Sequence, residues 1–189
     1  NIKTEIIKKL SESYKRKIAP EEIFYYIYAI LYSNIYRKKY NEFLKIDFPK
    51  IPFAKDGKLF NKISKLGKKL ADLHLLKSEK LDNDKNIKFP AVGNNKVKKR
   101  EYKDNKIRIN DKQYFIGVAP EVWNYHIGGY QVLDKWLKDR KDRTLSSEDV
   151  NHYLKVVTAL KFTIETQKEI DKVYLKAEDT ILETGLNNA

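Results

Sequence analysis

Residues 114–143 constrain the fold of this 189-residue chain more than any other stretch. The apolar run Tyr114, Phe115, Ile116 is followed by Trp123, by the pair Gly128-Gly129, and then by Tyr130, Leu133, Trp136, Leu137 and Arg140. The last five residues recur at the spacing of one helix face. Glycine pairs mark places where the backbone turns or approaches something closely. An apolar strand, a sharp turn and a helix ending in Lys138, Arg140, Lys141 and Arg143 must therefore fit within one short stretch. Trp123, Tyr130, Leu133, Trp136 and Leu137 are expected in the core, with the glycine pair serving close packing there or, alternatively, letting the backbone approach a phosphate.

The rest of the chain reads as helical on both sides of that stretch. Ile2, Ile6, Ile7, Leu10 and Tyr14 have helical spacing, and Pro20-Glu21-Glu22 suits the first turn of a second helix. Residues 23–31 are apolar on nearly every face, which predicts a helix buried on most sides. Pro49 and Pro52 forbid a helix and favour an extended strap across the core. Leu59, Ile63, Leu66, Leu70 and Leu73 form the next apolar stripe. Residues 78–95 turn polar and read as a connector. Between Lys96 and Ile116, the alternation of Tyr102, Ile107, Ile109, Tyr114 and Ile116 around Asn110-Asp111 predicts a short hairpin or meander. Ser146-Ser147-Glu148-Asp149 reads as a helix N-cap, with Val150, Leu154, Val157, Leu160 and Ile164 on one face beyond it. That helix is expected to run past Ile170 towards Leu182, with the end at 185–188 frayed.

These elements predict a mostly α fold with a small β insert (α+β), a helical scaffold around a short antiparallel hairpin or meander. By sequence, residues 1–77 form a helical part with the proline strap, 78–95 the connector, and 96–189 the β insert followed by C-terminal helices. Together they are expected to form one compact unit. A hydrophobic content of 41% is enough for a core.

The formal net charge of +13 bears on partners rather than on fold. Six basic residues (Lys96, Lys98, Lys99, Arg100, Lys103, Lys106) lie against Glu101 and Asp104, and five more lie between Lys135 and Arg143. From Thr163 onward the sign reverses, with six acids against three lysines. A uniformly lysine-rich surface would not produce that reversal, so the clustering points to a polyanion such as duplex DNA. Backbone neutralisation would fall to Lys96, Lys98, Lys99, Lys103, Lys106, Lys138 and Lys141. Base reading needs forks and amides, for which Asn94, Asn95, Arg100, Gln113, Gln131, Arg140 and Arg143 are the candidates. Each also has a plainer use. Asn94-Asn95 suits a turn, Gln131 could help start the following helix, and Arg140 and Arg143 could pair with Asp139 or Asp142.

Several classes of chemistry find no support. There is no cysteine, hence no disulfide, thiolate metal site or cysteine nucleophile, which also fits a cytoplasmic location. His74, His126 and His152 have no metal-ligand spacing. No nucleophile elbow or phosphate-binding glycine loop occurs, nor the Asn-Pro-Pro-Tyr motif that holds a flipped adenine for methylation. Glu101-Tyr102-Lys103 has the form of a metal-dependent nuclease triplet, but it lacks a preceding Pro-Asp. No apolar run approaches the roughly 20 residues that a membrane span needs. The chain lacks Met at position 1 and begins in a helical pattern, so it is expected to be a piece of a longer polypeptide.

Three blocks carry a resemblance. They are residues 24–33 with Tyr36-Arg37-Lys38-Lys39-Tyr40; the strap Phe48-Pro49-Lys50-Ile51-Pro52; and Trp123-Asn124-Tyr125 with residues 127–140. Residues 66–76 add a helix after the strap. Over residues 23–163 the chain resembles the C-terminal specificity region of type ISP restriction–modification enzymes and related single-chain adenine methyltransferase–restriction enzymes. The resemblance implies a target recognition domain that binds double-stranded DNA and positions the site for a methyltransferase and nuclease upstream on the same polypeptide. S-adenosylmethionine, ATP and magnesium would then serve those upstream domains, and this part would need no cofactor and touch no membrane. The other readings are a nonspecific basic nucleic-acid-binding domain and an interdomain scaffold that does not read DNA.

Overall fold

The structure, a computed structural model, describes residues 2–82 and 84–182. It is mostly α with small antiparallel sheets, and it divides into two units. One comprises Asn1–Asp72 with Glu165–Ala189, the other Leu73–Ile164.

The first unit holds α1 (Thr4–Ser13), α2 (Pro20–Tyr32), α3 (Asn34–Lys39), most of α4 (Gly57–His74) and the C-terminal part of α7 (Ser147–Glu178). Pro20 opens α2. Glu22 reaches back to accept the Ala19 N–H at 2.9 Å while holding Arg16, whose hydrogen bond keeps the Glu22 carboxyl below its usual range. Leu10, Ile23, Tyr26, Ile30, Phe60, Ile63, Leu70, Ile170 and Tyr174 are wholly buried together. Gly67 is required where α4 meets α2, since a Cβ there would lie 1.8 Å from the Tyr25 carbonyl oxygen.

The proline strap is extended, as its residues dictate, and tyrosines hold it. Tyr36 donates to the Lys50 carbonyl at 2.9 Å, Tyr26 to Pro52 at 2.7 Å and Tyr14 to Ala54 at 2.6 Å. Burial pushes the Tyr36 hydroxyl up to about 12, so it stays a neutral donor. Chain from the far end closes this unit. Lys55 N donates to Thr180 O and Leu182 N to Phe53 O, each at 2.8 Å, around an antiparallel bridge between Ala54 and Ile181. Ser33 caps α3, its Oγ accepting from Tyr36 N at 3.2 Å. Asp171 of α7 holds that end by accepting from Ser33 Oγ at 2.7 Å and Asn34 Nδ2 at 3.0 Å.

The second unit holds β1 (Glu101–Lys103), β2 (Lys106–Arg108), β3 (Tyr114–Ile116), α5 (Pro120–Trp123), β4 (His126–Ile127), β5 (Tyr130–Gln131), α6 (Val132–Lys138) and the first part of α7. Strands β1-β2-β3 form an antiparallel meander, and β4-β5 a separate hairpin. Asp104 and Asn105, at φ 52° and 58°, make the β1–β2 turn, the left-handed pair that a type I′ hairpin needs. The inner face of the meander carries Tyr102, Ile107 and Phe115. Phe115 packs against Tyr153 of α7 with ring centroids 4.6 Å apart. The α7 N-terminus is a reciprocal cap. Ser146 Oγ accepts from Asp149 N at 3.0 Å, and Asp149 Oδ2 accepts from Ser146 N at 3.1 Å.

Two boundaries differ from the linear reading. Residues 78–95 do not form a bare connector. Leu81 and Ile87 are buried, Lys88 bridges to Ile116, and Asp82 and Asp84 pair with Lys155 and Lys161. The C-terminal helix does not belong to the second part alone, because its residues from Glu165 onward pack in the first unit. It ends at Glu178, short of Leu182, and the stretch expected to fray, 185–188, lies outside the described residues. Among the described residues no helix is long and apolar enough to cross a membrane.

Candidate nucleic-acid interface

The meander sorts its side chains by the alternation of a strand. With Ile107 turned into the core, Lys106 and Arg108 project from the other face, together with Lys103 on β1 and Tyr114 on β3. Lys103 faces Lys106 across the β1–β2 pair, and Arg108 faces Tyr114 across β2–β3. Lys106 Nζ lies 5.1 Å and Arg108 Cζ 5.3 Å from the centre of the Tyr114 ring. One aromatic ring thus steadies two cations. No carboxylate lies within ion-pair distance of Lys103, Lys106 or Arg108 among the described residues. Glu101 is the cross-strand neighbour of Arg108 on β1, and Arg108 helps lower the Asp111 carboxyl. Three cations still outnumber the carboxylate on this face, and net positive charge on a firm sheet suits contact with a phosphate backbone. Arg108 was not among the sequence candidates, although part of the signal was there: between Ile107 and Ile109 it must face outward.

Beside the meander, two clusters distant in sequence come together. Residues 95–98 run along 142–145, with Val97 N donating to Arg143 O at 2.9 Å, Asp142 N to Val97 O at 2.8 Å, and Lys96 bridging to Thr144. Lys96, Lys141 and Arg143 thereby share one edge, none within salt-bridge distance of a carboxylate among the described residues, although Lys141 and Lys96 help lower the Asp142 carboxyl. Lys138 is exposed at the end of α6 and makes no salt bridge among the described residues. Lys98 and Lys99 are paired, with Asp142 at 2.9 Å and Asp111 at 2.7 Å. The Asp142 and Asp111 carboxyls are held below their usual range by those lysines. Such exposed pairs contribute little to stability, and a phosphate could replace either carboxylate.

Most base-reading candidates have internal work. Gln113 is 1% exposed, and its amide is fully engaged. Its Oε1 accepts from Asn95 N at 2.7 Å and Asn110 Nδ2 at 3.1 Å, while its Nε2 donates to Ala91 O at 3.1 Å and Asn95 Oδ1 at 2.6 Å. Asn95 adopts a left-handed conformation at φ 54° and also donates to the Leu145 carbonyl. Asn94 is exposed, with its Oδ1 accepting the Lys96 N–H in a turn. Gln131 precedes α6 but does not cap it; its amide donates to the Trp123 carbonyl. Arg100 is tied to Asp134 at 2.7 Å. Arg140 lies 3.6 Å over the Trp136 ring, donates to the Trp136 carbonyl and reaches Asp149 at 3.5 Å. The Asp149 carboxyl is lowered, first by the Ser146 backbone N–H and then by Arg140. Arg143 alone among the arginine candidates is exposed and unpaired among the described residues.

The expectation for the glycine stretch changes. Leu133 and Leu137 are fully buried and Trp123 and Trp136 half-buried, but Tyr130 is 64% exposed. No atom lies within 4 Å of where a Cβ would stand on Gly128 or Gly129. The pair closes an open hairpin rather than a packed crossing, and Gly128 supplies the left-handed φ of 59° that its turn needs. Glu101 and Lys103 are both exposed on β1. Among the described residues no cluster of three or more His, Asp or Glu is arranged to hold a metal.

Comparison with known proteins gives a consistent answer. The profile of the Type ISP C-terminal specificity domain matches residues 1–170. No curated protein matches. Among solved structures, the chain is similar to a nuclease-deletion mutant of the Type ISP restriction-modification enzyme LlaGI in complex with a DNA substrate mimic. The identity is 25% and the TM-score 0.61, over 82% of this chain and 16% of that one. It is also similar to the ATP-dependent Type ISP restriction-modification enzyme LlaBIII bound to DNA, at 25% identity and TM-score 0.66, over 89% of this chain and 12% of that one. The DrdV chain of a DrdV–DNA complex shares the fold at 18% identity and TM-score 0.67, over 90% of this chain and 19% of that one. The chain spans less than a fifth of the length of each. With nearly its whole length matched by the profile, the chain belongs to the Type ISP C-terminal specificity domain family.

Proposed function

We propose that this chain is the target recognition domain of a restriction–modification enzyme, binding a short sequence in double-stranded DNA. It would position that site for an adenine methyltransferase and a nuclease elsewhere in a longer cytoplasmic polypeptide. The observation that carries the reading is the outer face of the meander, where Lys103, Lys106 and Arg108 outnumber the one carboxylate in register with them, Glu101, and Lys106 and Arg108 share the Tyr114 ring. Lys96, Lys141 and Arg143 add a second cationic edge. The solved structures of LlaGI and LlaBIII hold a DNA substrate mimic and DNA, respectively, which supports the same assignment. On this reading the chain itself has no catalytic step. S-adenosylmethionine, ATP and magnesium would be used by the methyltransferase and by motor and nuclease domains, and the chain's partners are duplex DNA and that methyltransferase.

Selection from a random duplex library tests it. The expected outcome is enrichment of one short site, bound with a steep dependence on salt. Equal affinity for every duplex of one length would make the chain a nonspecific binder. Absence of binding even at low salt would leave an interdomain scaffold.

A further inference from the structure

We propose that the β4–β5 hairpin is a wedge that inserts Ile127 and Tyr130 between stacked base pairs of the bound duplex. This rests on the reading of the chain as a DNA-binding domain and adds a device that needs no base-specific hydrogen bond.

The hairpin is built to present two apolar side chains. Ile127 and Tyr130 are direct cross-strand partners, 51% and 64% exposed, on either side of the two-glycine turn. Neither side chain belongs to the packed core of its unit, and the space around the two glycines of the turn is open. The base of the hairpin, by contrast, is fixed. Val132 N donates to Tyr125 O at 3.1 Å, Gln131 donates its amide to Trp123 O, and β5 runs straight into α6, whose Leu133 and Leu137 are buried. The Trp123 ring is stacked in turn on Tyr102 of β1, 5.3 Å away and 7° from parallel. The base of the hairpin is therefore anchored to the same framework that carries the cationic strands, and the tip projects from it.

Size and charge favour DNA as the occupant. A protein partner of ordinary affinity needs about 800 Å² of surface on each side, far more than two side chains offer. A two-stranded ribbon fits within the major groove, and apolar side chains wedged at a base step are an established way of kinking a duplex. No carboxylate occurs in sequence between Glu121 and Asp134, so nothing on the hairpin repels phosphate. Lys135 lies 5.9 Å from the centre of the Tyr130 ring.

The test uses the duplex enriched by selection, with 2-aminopurine placed at successive positions and the 189-residue chain added. The expected result is a rise in fluorescence at one step. In the Ile127→Ser, Tyr130→Ser double variant that rise disappears and affinity falls about tenfold or more, the size of one lost base–aromatic stack. The slope of affinity against salt stays the same, because no phosphate contact is lost. Tyr130→Phe keeps both the signal and the affinity. A fluorescence rise that persists in the double variant, or an affinity within twofold of the parent, overturns the wedge while leaving DNA recognition intact. If the parent chain enriches no duplex, the recognition reading fails and takes the wedge with it.

Discussion

A side chain that reads bases must keep its donors and acceptors facing outward, and Gln113 has all of its own satisfied inside the protein. Four hydrogen bonds tie its amide to Asn95, Asn110 and the Ala91 carbonyl. Truncating it would strand those half-buried partners around a buried cavity. Leaving a buried polar group unpaired costs about 1–3 kcal/mol. Gln113→Ala is therefore expected to lower stability by about 2 kcal/mol or more, read as an earlier urea midpoint at unchanged slope. A reader whose loss only relaxed DNA preference would leave that midpoint in place. Arg108 is the converse case, a residue whose worth comes from its neighbours. Its cross-strand partners are Tyr114 on β3 and Glu101 on β1, and Lys106 lies on the same Tyr114 ring. That grouping appears only once β2 and β3 are in register.

At the scale of elements, the meander and the paired lysines beside it should respond differently to mutation. Each phosphate contact contributes about 0.9 to the log–log slope of affinity against salt. Replacing Lys103, Lys106 and Arg108 by Gln is expected to flatten that slope by about 0.9 per residue. Lys98→Gln should change it less, because Lys98 already has Asp142; equal effects at all four positions would contradict the distinction. The strands of this insert were legible from the alternation of Tyr102, Ile107 and Ile109, but Tyr114 and Ile116, read in the same pattern, lie on the outer face and Phe115 between them is the buried one. Helix α4 was legible as a stripe of leucine and isoleucine. The glycine hairpin was not. Tyr130 stands three residues before Leu133, in phase with a helix face, but the helix starts only at Val132 and Tyr130 belongs to β5. Periodicity alone cannot tell a residue on the helix from one leading into it. The amide cluster around Gln113 was hidden for a related reason, since its partners lie up to 22 residues away.

At the scale of the whole chain, the reversal of charge after Thr163 has a local use as well as a bearing on partners. Glu178 holds Lys39 at 2.7 Å and Glu169 holds Lys69 at 2.8 Å. Burial opposes ionisation of Glu178, yet the bonds from Lys39 and Tyr174 outweigh it and keep its carboxyl below the usual range. The acidic end therefore neutralises cations of the first unit, while the cations of the meander keep their charge. This sharing of α7 was invisible in sequence, because a continuous helical period carries no mark of which core each turn joins. It has a direct consequence for truncation. Ile170, Val173 and Tyr174 are buried in the first unit, and residues 180–182 pair with the strap. Burying a large apolar side chain contributes about 1.5–3 kcal/mol, so these three together contribute about 5–9 kcal/mol. That is comparable with the roughly 5–15 kcal/mol by which an entire domain is stable. A chain ending at Ile164 is thus expected to lose the helical signal of α1 to α4 in circular dichroism and to release residues 1–72 to rapid proteolysis. Retention of a protected fragment covering 1–72 would show that those helices can close their core without α7.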